Sequence, residues 1–297
     1  MKQKIRGFVS DVVANALLGF GVVSKAKKNI LQNDHIVSIC FHYPSKTLFE
    51  SCVNWLSKNG FHFISVSDLE KIAKGETSFP RGAVLITVDD GWKSNYENIV
   101  QVAQQKNIPV TIFINPEIVE KGNAYWWSYV YEANKKGITN HSAEYYKTLD
   151  NEERVKAIDE LSAKLKLGRE AMTIDQVKTV SSGRVVSIES HTMSHPILPK
   201  CSDERSKYEI VESKKTIEQW LGKKVKHFAY PNGDCTEREI STLKQSGYTA
   251  AFTVNQRYLS PADFKDMYRL PRIMMFETAS FKENVCRMMG VWNKKRK

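Results

Sequence analysis

The sequence predicts an α/β fold in which parallel strands alternate with helices and are numerous enough to form a barrel. Short apolar runs alternate with amphipathic helical segments along most of the chain. Each strand run is continuously apolar, which is typical of parallel strands covered on both faces. The number of strand–helix units favours a barrel over a small open sheet. A chain of 297 residues is long enough to bury a full hydrophobic core.

The individual elements follow from hydrophobic periodicity and from turn residues. The clearest strand is the uninterrupted run at 83–88, and Ser67 is available as the N-cap of the second helix. The predicted strands cover residues 36–41, 61–65, 83–88, 110–114, 185–188, 226–229 and 250–254. The predicted helices of the barrel cover residues 48–58, 66–74, 95–105, 203–221 and 236–245.

One segment interrupts the alternation. Residues 117–180 contain no predicted strand, and we interpret them as a helical insertion between two strands of the barrel. The insertion carries an aromatic cluster that includes Trp126 and Trp127. These rings either line a sugar-binding groove, since sugar rings stack on aromatic faces, or anchor the insertion to the barrel.

The N-terminal segment predicts an amphipathic helix. Residues 8–23 are apolar at helical spacing and follow several basic residues, but Asp11 and Asn15 interrupt them. The stretch is too short and too polar to span a bilayer or to serve as the core of a signal peptide. The helix, followed by a basic linker at 24–29, either packs on the main domain or lies on a membrane surface.

These predictions divide the chain into three parts. The predicted parts are an N-terminal helix and linker at 1–30, a catalytic barrel at 31–290 containing the helical insertion at 117–180, and a basic tail at 291–297.

Charge and cysteine content restrict the partners and the compartment. Lys and Arg outnumber Asp and Glu by 44 to 33, so an anionic membrane or an anionic substrate would be attracted. No nucleic-acid-binding motif accompanies this charge, and we expect no nucleic-acid partner. The five cysteines are scattered and fit a reducing compartment. We therefore expect a cytoplasmic protein, peripheral at the inner membrane face, with an exported form as the alternative.

Polar residues follow four of the predicted strands. They are His42, the pair Asp89 and Asp90, the segment 190–196, and the segment 230–233. In a parallel barrel the carboxyl ends of all strands lie on the same face, which is the face that carries active sites. We therefore expect these residues to converge although they are far apart in sequence.

The residue types at these ends predict a metal-dependent hydrolase. His191 and His195 are four residues apart, so on a helical turn they would share a face and bind one metal ion. A carboxylate from Asp89 or Asp90 would complete a catalytic site of the zinc type and leave a position open for water. The other carboxylate would remain free as a general base for that water.

The ordered motifs TVDDGW, SHTMSHP and FAYPNG resemble those of the polysaccharide deacetylase family, carbohydrate esterase family 4 with the NodB-like fold. The resemblance extends from about residue 36 to residue 276. It implies a deformed (β/α) barrel and removal of N-acetyl groups from an amino sugar in a glycan or glycan precursor. It further implies Asp89 as the catalytic base and Asp90, His191 and His195 as the metal ligands. Zn2+ is the expected ion, with Co2+, Ni2+ and Mn2+ as alternatives.

The same resemblance implies contacts for the acetyl group and the sugar. The backbone N–H of Tyr230 would stabilise the oxyanion beside the rigid turn that it begins. The residues grouped with it as oxyanion or substrate contacts are Pro231, Asn232, Arg272 and Trp92.

Two departures from the family pattern affect the remaining roles. The family's arginine ahead of the third motif is absent from residues 223–227, and Arg272 is the substitute that would orient the base. The family's Leu-His pair near the C-terminus is also absent. His42 is then the best available general acid, although it could instead pack beneath the site.

Two other activities remain open. The same residues could hydrolyse an O-acetyl ester or a formamide, and a barrel that has lost turnover could bind glycans without catalysis. The expected partner is an acetylated amino-sugar glycan or a lipid-linked sugar, with peripheral contact to an anionic membrane.

Overall fold

The computed structural model describes residues 2–292, without the side chains of residues 2–6 and 8, so residues 293–297 of the predicted tail lie outside the described residues. Within this range the strands form one sheet in the order β7-β6-β5-β4-β3-β1-β8, with β2 beside β3, and all pairs are parallel. The strands are β1 (Ile36–Phe41), β2 (His62–Ile64), β3 (Ala83–Val88), β4 (Val110–Ile114), β5 (Val186–Ser190), β6 (His227–Ala229), β7 (Ala250–Phe252) and β8 (Ile273–Met274).

Helices cover the sheet. Those before the insertion are α1 (Lys2–Gly19), α2 (Val22–Gln32), α3 (Lys46–Lys58), α4 (Val66–Ala73), α5 (Lys93–Asn95) and α6 (Gln101–Lys106), the last two joined by a π-helical turn at Tyr96–Val100. Those of the insertion are α7 (Pro116–Lys121), α8 (Trp126–Lys135), α9 (Ala143–Thr148), α10 (Asn151–Ser162) and α11 (Ile174–Ser182). The remaining ones are α12 (Asp203–Leu221), α13 (Glu237–Gln245) and α14 (Phe281–Met288).

The sheet curls into the predicted deformed barrel, and the segment after β7 closes it. At one end of this segment Leu270 donates its N–H to Ala251 O at 3.0 Å and accepts from Thr253 N–H at 2.9 Å. At its other end Met275 N–H donates to Cys40 O at 2.8 Å, beside the β1–β8 pair. Strand β8 was not predicted from the sequence, because it is only two residues long.

Alternation along the strands separates two apolar layers. In β3, Val84, Ile86 and Val88 pack with the outer helices, whereas Leu85 packs with Phe113 and with residues of β7 and the closing segment. Burial of both faces explains why each strand has a continuously apolar sequence. The register aligns the strand ends, since the last residues of β1 and β3 are paired, as are those of β4 and β5.

The N-terminal region is more helical than predicted. The predicted linker at 24–29 belongs to α2, and Gly21, with φ of 71°, separates α2 from α1. Ala14 of α1 is buried, and Asn15 Oδ1 accepts from Lys282 Nζ of α14 at 2.6 Å. No single helix among the described residues has the length and hydropathy to cross a membrane, although Val9–Gly19 and Val22–Gln32, bent by 61°, meet those criteria as a pair.

The cap of α4 also differs from the prediction. Ser65, rather than Ser67, precedes the first turn and accepts a hydrogen bond from Asp68 N–H at 3.1 Å. The Asp68 carboxylate accepts in return from Ser65 N–H at 3.0 Å. This reciprocal capping box satisfies two free backbone donors and fixes where the helix begins.

A buried polar cluster joins β5, β6 and α4. His227 Nδ1 lies 2.9 Å from Glu189 Oε1, and its Nε2 lies 3.2 Å from Glu70 Oε1. Burial alone would lower the pKa of His227, but the two carboxylates outweigh it and raise that pKa to about 9. The ring is therefore protonated at neutral pH and holds α4 against the sheet.

We expect the variant His227→Gln to lose a pH-dependent part of the stability. The pKa of this histidine rises from 6.5 to about 9 on folding. The contribution of His227 to the free energy of unfolding is therefore complete at pH values below its pKa in the unfolded state. It disappears as the pH rises through its pKa in the folded state. The difference in free energy of unfolding between wild type and variant should shrink by about 3 kcal/mol between these two pKa values. Urea titrations at several pH values measure it.

The exposed His62 on β2 supplies the control, since His62→Gln makes the same substitution outside the cluster. The prediction would be contradicted if the difference in free energy of unfolding between wild type and His227→Gln stayed constant across this pH range. The histidine of the cluster would then not carry the proposed charge.

Candidate active site

A cavity of 460 Å³ opens at the carboxyl ends of the strands, where the sequence analysis predicted convergence. Its lining brings together residues from all four predicted strand ends and from the insertion. Among the lining residues are His42, Asp89, Asp90, Trp92, Trp126, Trp127, His191, His195, Asn232 and Glu277.

Three buried side chains at this cavity could hold a metal ion. Asp90 Oδ1 lies 3.6 Å from His191 Nε2 and 3.4 Å from His195 Nε2. Oδ2 of Asp90 accepts from Trp92 Nε1 at 2.9 Å, whereas Oδ1 is buried and has no hydrogen-bond partner among the described residues. A buried carboxylate oxygen without a donor is unfavourable unless a cation occupies the place of the donor. One carboxylate and two imidazoles form a donor set that suits a catalytic divalent cation.

The two histidines are held as neutral imidazoles. His191 Nδ1 lies 2.7 Å from Ala229 O, and because a carbonyl can only accept, Nδ1 carries the proton. Its Nε2 lone pair is then free on the side of Asp90. Burial lowers the pKa of both His191 and His195, so both rings are unprotonated at neutral pH.

The loop that carries the two histidines is not the helical turn that we expected from their spacing. Thr192 and His195 have φ angles of 68° and 58°, so the chain turns back and places both rings together without helical geometry. Asn115, at the end of β4, donates its side-chain N–H to the carbonyls of His191 and Thr192 and holds the turn. The sequence analysis missed Asn115, although its place directly after a strand is the same signal that identified the other residues.

Asp89 forms a buried bidentate ion pair with Arg272. Nη1 donates to Oδ1 at 2.7 Å and Nη2 donates to Oδ2 at 2.8 Å. Burial would raise the pKa of Asp89, but Arg272 and the neighbouring histidines hold it well below its usual value. Asp89 is therefore a carboxylate, and each oxygen keeps a second lone pair that faces no guanidinium.

This pair places the guanidinium of Arg272 directly beside the carboxylate of Asp89. The sequence predicts Arg272 either as a substrate contact or as the residue that orients the base. The guanidinium is fully buried inside the barrel, where it also donates to Thr87 Oγ1 and Thr253 O, and it does not line the cavity. Arg272 therefore lies behind Asp89 rather than on the cavity wall, which is where a residue that orients the base would be expected.

His42 faces the cavity and is paired with Glu277, a residue that the sequence analysis missed. Glu277 Oε1 accepts from His42 N–H at 2.7 Å and lies 3.7 Å from His42 Nδ1. Burial alone would lower the pKa of His42, but Glu277 and Asp90 raise it to about 9. The ring is therefore an imidazolium at neutral pH. Glu277 follows β8, so recognition of that strand would have revealed it.

The structure corrects the role predicted for Tyr230. Its backbone N–H donates to Phe252 O at 3.1 Å as part of the sheet, so it is not free to bind an oxyanion. Its side chain and Pro231 are buried and do not line the cavity. Asn232 does line it, and the Nδ2 of Asn232 is buried without a hydrogen-bond partner among the described residues.

The aromatic cluster both anchors the insertion to the barrel and lines the cavity. Tyr125 is buried, stacks on Trp127 with 4.7 Å between centroids, and donates its hydroxyl to Asp90 O at 2.7 Å. Trp127 contacts the His195 ring edge-on at 4.6 Å, and together with Trp126 it also lines the cavity. The two interpretations of this cluster are therefore compatible.

Strained backbone is concentrated at this site. Among the described residues, five that are not glycine have positive φ angles, and four of these belong to the site: Asp90, Thr192, His195 and Asn232. Such conformations are uncommon for residues with a Cβ and persist where the surroundings enforce them.

The family model described as polysaccharide deacetylase matches residues 76–172 and 167–251 of the chain. The Bacillus subtilis protein YxkH is 22% identical over 228 residues, which are 77% of this chain and 64% of YxkH. The poly-beta-1,6-N-acetyl-D-glucosamine N-deacetylase of Escherichia coli K12 is 24% identical over 268 residues, which are 81% of this chain and 34% of that protein. The chain thus spans less than two thirds of the length of either relative.

Solved structures share the fold. The Streptococcus pyogenes deacetylase PplD in complex with acetate superposes with a TM-score of 0.62 at 17% identity, covering 86% of this chain and 98% of PplD. IcaB from Ammonifex degensii superposes with a TM-score of 0.63 at 18% identity, again covering 86% and 98%. The family model covers more than half of the chain and contains the Asp-Asp, His-His and Tyr-Pro-Asn-Gly motifs, and the chain therefore belongs to the polysaccharide deacetylase family.

Proposed function

We propose that the protein is a metal-dependent hydrolase that removes N-acetyl groups from an amino sugar in a glycan or glycan precursor. The observation that carries this proposal is the juxtaposition of the Asp90–His191–His195 cluster with the buried Asp89–Arg272 pair in one cavity. Binding alone would not need a second, ionised carboxylate beside a ligand set. The name of the Escherichia coli relative, a de-N-acetylase of a glucosamine polymer, supports the choice of an N-linked acetyl group.

Asp90, His191 and His195 would hold the divalent cation, for which Zn2+ is the favoured candidate because neutral imidazole and carboxylate ligands suit it. When bound, such a cation acidifies a water molecule and polarises the acetyl carbonyl. Trp92 and Ala229 act on the ligands, since each fixes one of them through a hydrogen bond.

Asp89 would accept the proton of the attacking water. Arg272 keeps Asp89 ionised and fixes its plane, so that a free lone pair remains available to the water. The low pKa makes Asp89 a weak base, which is sufficient only for a water that is already acidified. The side-chain amide of Asn232 would donate to the acetyl oxygen as negative charge develops there.

His42 would donate a proton to the sugar nitrogen as the carbon–nitrogen bond breaks. An amine is a poor leaving group unless it is protonated, and an imidazolium at the cavity wall supplies that proton. Glu277 acts as the positioning residue, because it contacts His42 and keeps its ring charged. Trp126 and Trp127 offer aromatic faces for the sugar ring.

We further propose that the protein acts at the cytoplasmic face of a membrane, on a lipid-linked sugar. Val9, Val12 and Phe20 on α1 and beside it expose apolar surface, and Phe20 is 86% exposed. Lys25 and Lys28 on the next helix, α2, are exposed as well. Apolar side chains flanked by lysines favour binding to the interface of an anionic bilayer.

The variant Asp89→Asn should release acetate from N-acetylglucosamine oligomers about 10²–10⁴-fold more slowly than wild type. It should still bind one zinc ion, because Asp89 is outside the ligand cluster. Asp90→Asn, the matched control at the next position, should lose both the metal and the activity. Zinc content and acetate release are measured on the same preparations, with and without chelator.

Zinc bound normally by wild type without acetate release from any N-acetylated sugar would contradict the proposal and favour a glycan-binding barrel. Full activity of Asp89→Asn would contradict the role of that residue as the base.

We expect His42→Gln to affect amide and ester substrates differently. An amide needs a protonated leaving nitrogen, whereas the phenolate of 4-nitrophenyl acetate leaves without protonation. The variant should therefore lose about 10²-fold or more in kcat on the N-acetyl sugar and much less on the ester. Glu277→Gln should lose less than His42→Gln on the same amide. Equal losses on both substrates would contradict general-acid catalysis by His42.

Vesicle flotation tests the membrane contact. The wild-type protein should float with phosphatidylglycerol vesicles at low salt and less with phosphatidylcholine vesicles, because the contact is partly electrostatic. Phe20→Ser should reduce flotation, whereas Tyr145→Ser, at an exposed aromatic residue of the insertion, should not. Equal flotation with both lipids, or flotation unchanged by Phe20→Ser, would contradict this contact.

A further inference from the structure

A second cavity, of 220 Å³, lies between the insertion and the barrel, and we call it the arginine cavity. Its polar lining includes two arginines that approach it from different helices, Arg154 on α10 and Arg205 on α12. Trp126 lines both this cavity and the candidate active site, and Ser194, which also lines it, directly precedes His195. The two cavities are therefore neighbours separated by one aromatic ring and one loop.

Arg154 is a buried cation that makes no ion pair or hydrogen bond with a carboxylate among residues 2–292, and Glu209, a carboxylate that attracts it, is already bound by Arg205. Only 3% of the residue is exposed, and its Nη2 donates to the neutral side chain of Asn151 at 2.8 Å. The guanidinium carbon lies 5.5 Å from the centre of the Trp126 ring. Nη1 is buried and has no hydrogen-bond partner among residues 2–292. A buried guanidinium in this state is unfavourable, because Asn151 and the Trp126 ring replace only part of its lost hydration.

Further donors at the cavity are also unsatisfied. Arg205 uses Nη2 to bind Glu209 Oε1 at 2.5 Å and Ser194 Oγ at 3.2 Å, but its Nε is buried without a partner in the described chain. The indole N–H of Trp126 is likewise buried and unpartnered there. Three donor groups of one cavity thus lack acceptors.

The acidic residues of the lining do not supply these acceptors. Glu117 is paired with Lys121 at 2.5 Å, and Asp159 is exposed on the rim. Asp159 makes no ion pair within 4.0 Å among the described side chains. The group missing from the arginine cavity is therefore an acceptor carrying negative charge. Planar guanidinium forks match carboxylate and phosphate oxygens.

We propose that the arginine cavity binds an anionic group, a carboxylate or a phosphate, on the same glycan whose acetylated sugar occupies the active site. The assignment of the anionic group to the substrate rests on the proposed function. The existence of an anion site in the arginine cavity does not. The shared Trp126 wall favours a substituent on, or next to, the acetylated sugar. The substrate class is then an acidic amino-sugar glycan, bearing either a uronate or a phosphate.

Binding is tested on metal-free, full-length protein, so that anions cannot bind to a metal and the result is independent of turnover. Inorganic phosphate and glucuronate are titrated separately by calorimetry into wild type, Arg154→Met and Lys156→Met. Lys156 is exposed on the same helix and matches the loss of one charge. Wild type and Lys156→Met should bind at least one probe with affinities within about twofold, and Arg154→Met should bind about tenfold or more weakly. The probe that binds with the higher affinity shows whether the cavity prefers a uronate carboxylate or a phosphate.

Thermal unfolding without ligand separates a binding role from a structural one. If Arg154 is held for a ligand, Arg154→Met should melt at or above the wild-type temperature, because it removes a buried unpaired charge. Arg154→Lys keeps the charge without the planar fork, and it should fold and bind the probe more weakly than wild type. If Arg154→Met does not fold, the Arg154→Lys comparison decides.

No binding of either probe by wild type, or equal binding by wild type and the Arg154 variants, would overturn the anion site. A lower melting temperature of Arg154→Met together with unchanged binding would assign Arg154 a structural role. In active preparations Arg154→Lys should raise KM for an anionic N-acetylated oligosaccharide and leave KM for a neutral one unchanged. Phosphate binding without deacetylation of any sugar would leave the anion site intact and overturn the proposed function.

Discussion

The ion pair between Arg272 and Asp89 is the interaction on which the site and the barrel closure both depend. Both partners are almost fully buried, and each would be strongly unfavourable without the other. Arg272 belongs to the segment that passes from β7 to β1, so the pair ties the closing segment to the end of β3. The same contact thus joins the closing segment to the barrel and fixes the plane of the Asp89 carboxylate.

The pair also explains how two adjacent aspartates can have different environments. Strand alternation places Asp89 on the same side as Leu85 and Thr87, facing Arg272 inside the barrel. The chain leaves strand geometry at Asp90, whose φ is 72°, and this brings its carboxylate to the histidines. Gly91 continues the turn at φ of 75°, and a Cβ there would lie 2.6 Å from Ile114 Cγ2. The close approach to β4 therefore requires glycine.

Prediction from the sequence succeeded where a single property of the residues, such as apolar character along a strand, determines the local structure. Strands β1, β3 and β4 were predicted with their observed bounds, because an unbroken apolar run has few alternatives in a covered parallel sheet. It failed where the structure depends on which backbone groups of neighbouring strands form hydrogen bonds with each other. Whether Tyr230 N–H is free depends on the neighbouring strand, and β8 depends on two residues that pair with β1. The histidine spacing indicated a shared ligand role but could not reveal the left-handed residues that produce it.

The insertion gives the site a part that the barrel does not determine. The residues proposed as cation ligands and as the base come from strand ends, whose positions are fixed by the sheet register. The insertion contacts two of these residues from outside the barrel. Tyr125 donates to the backbone carbonyl of Asp90, and Trp127 packs against the ring of His195. It also contributes Arg154, the buried cation of the arginine cavity. Under the two proposals, changes in the insertion would alter which glycan binds while the register that places Asp89 and Asp90 stays the same, so substrate selection and hydrolysis would be carried by separable parts of one chain.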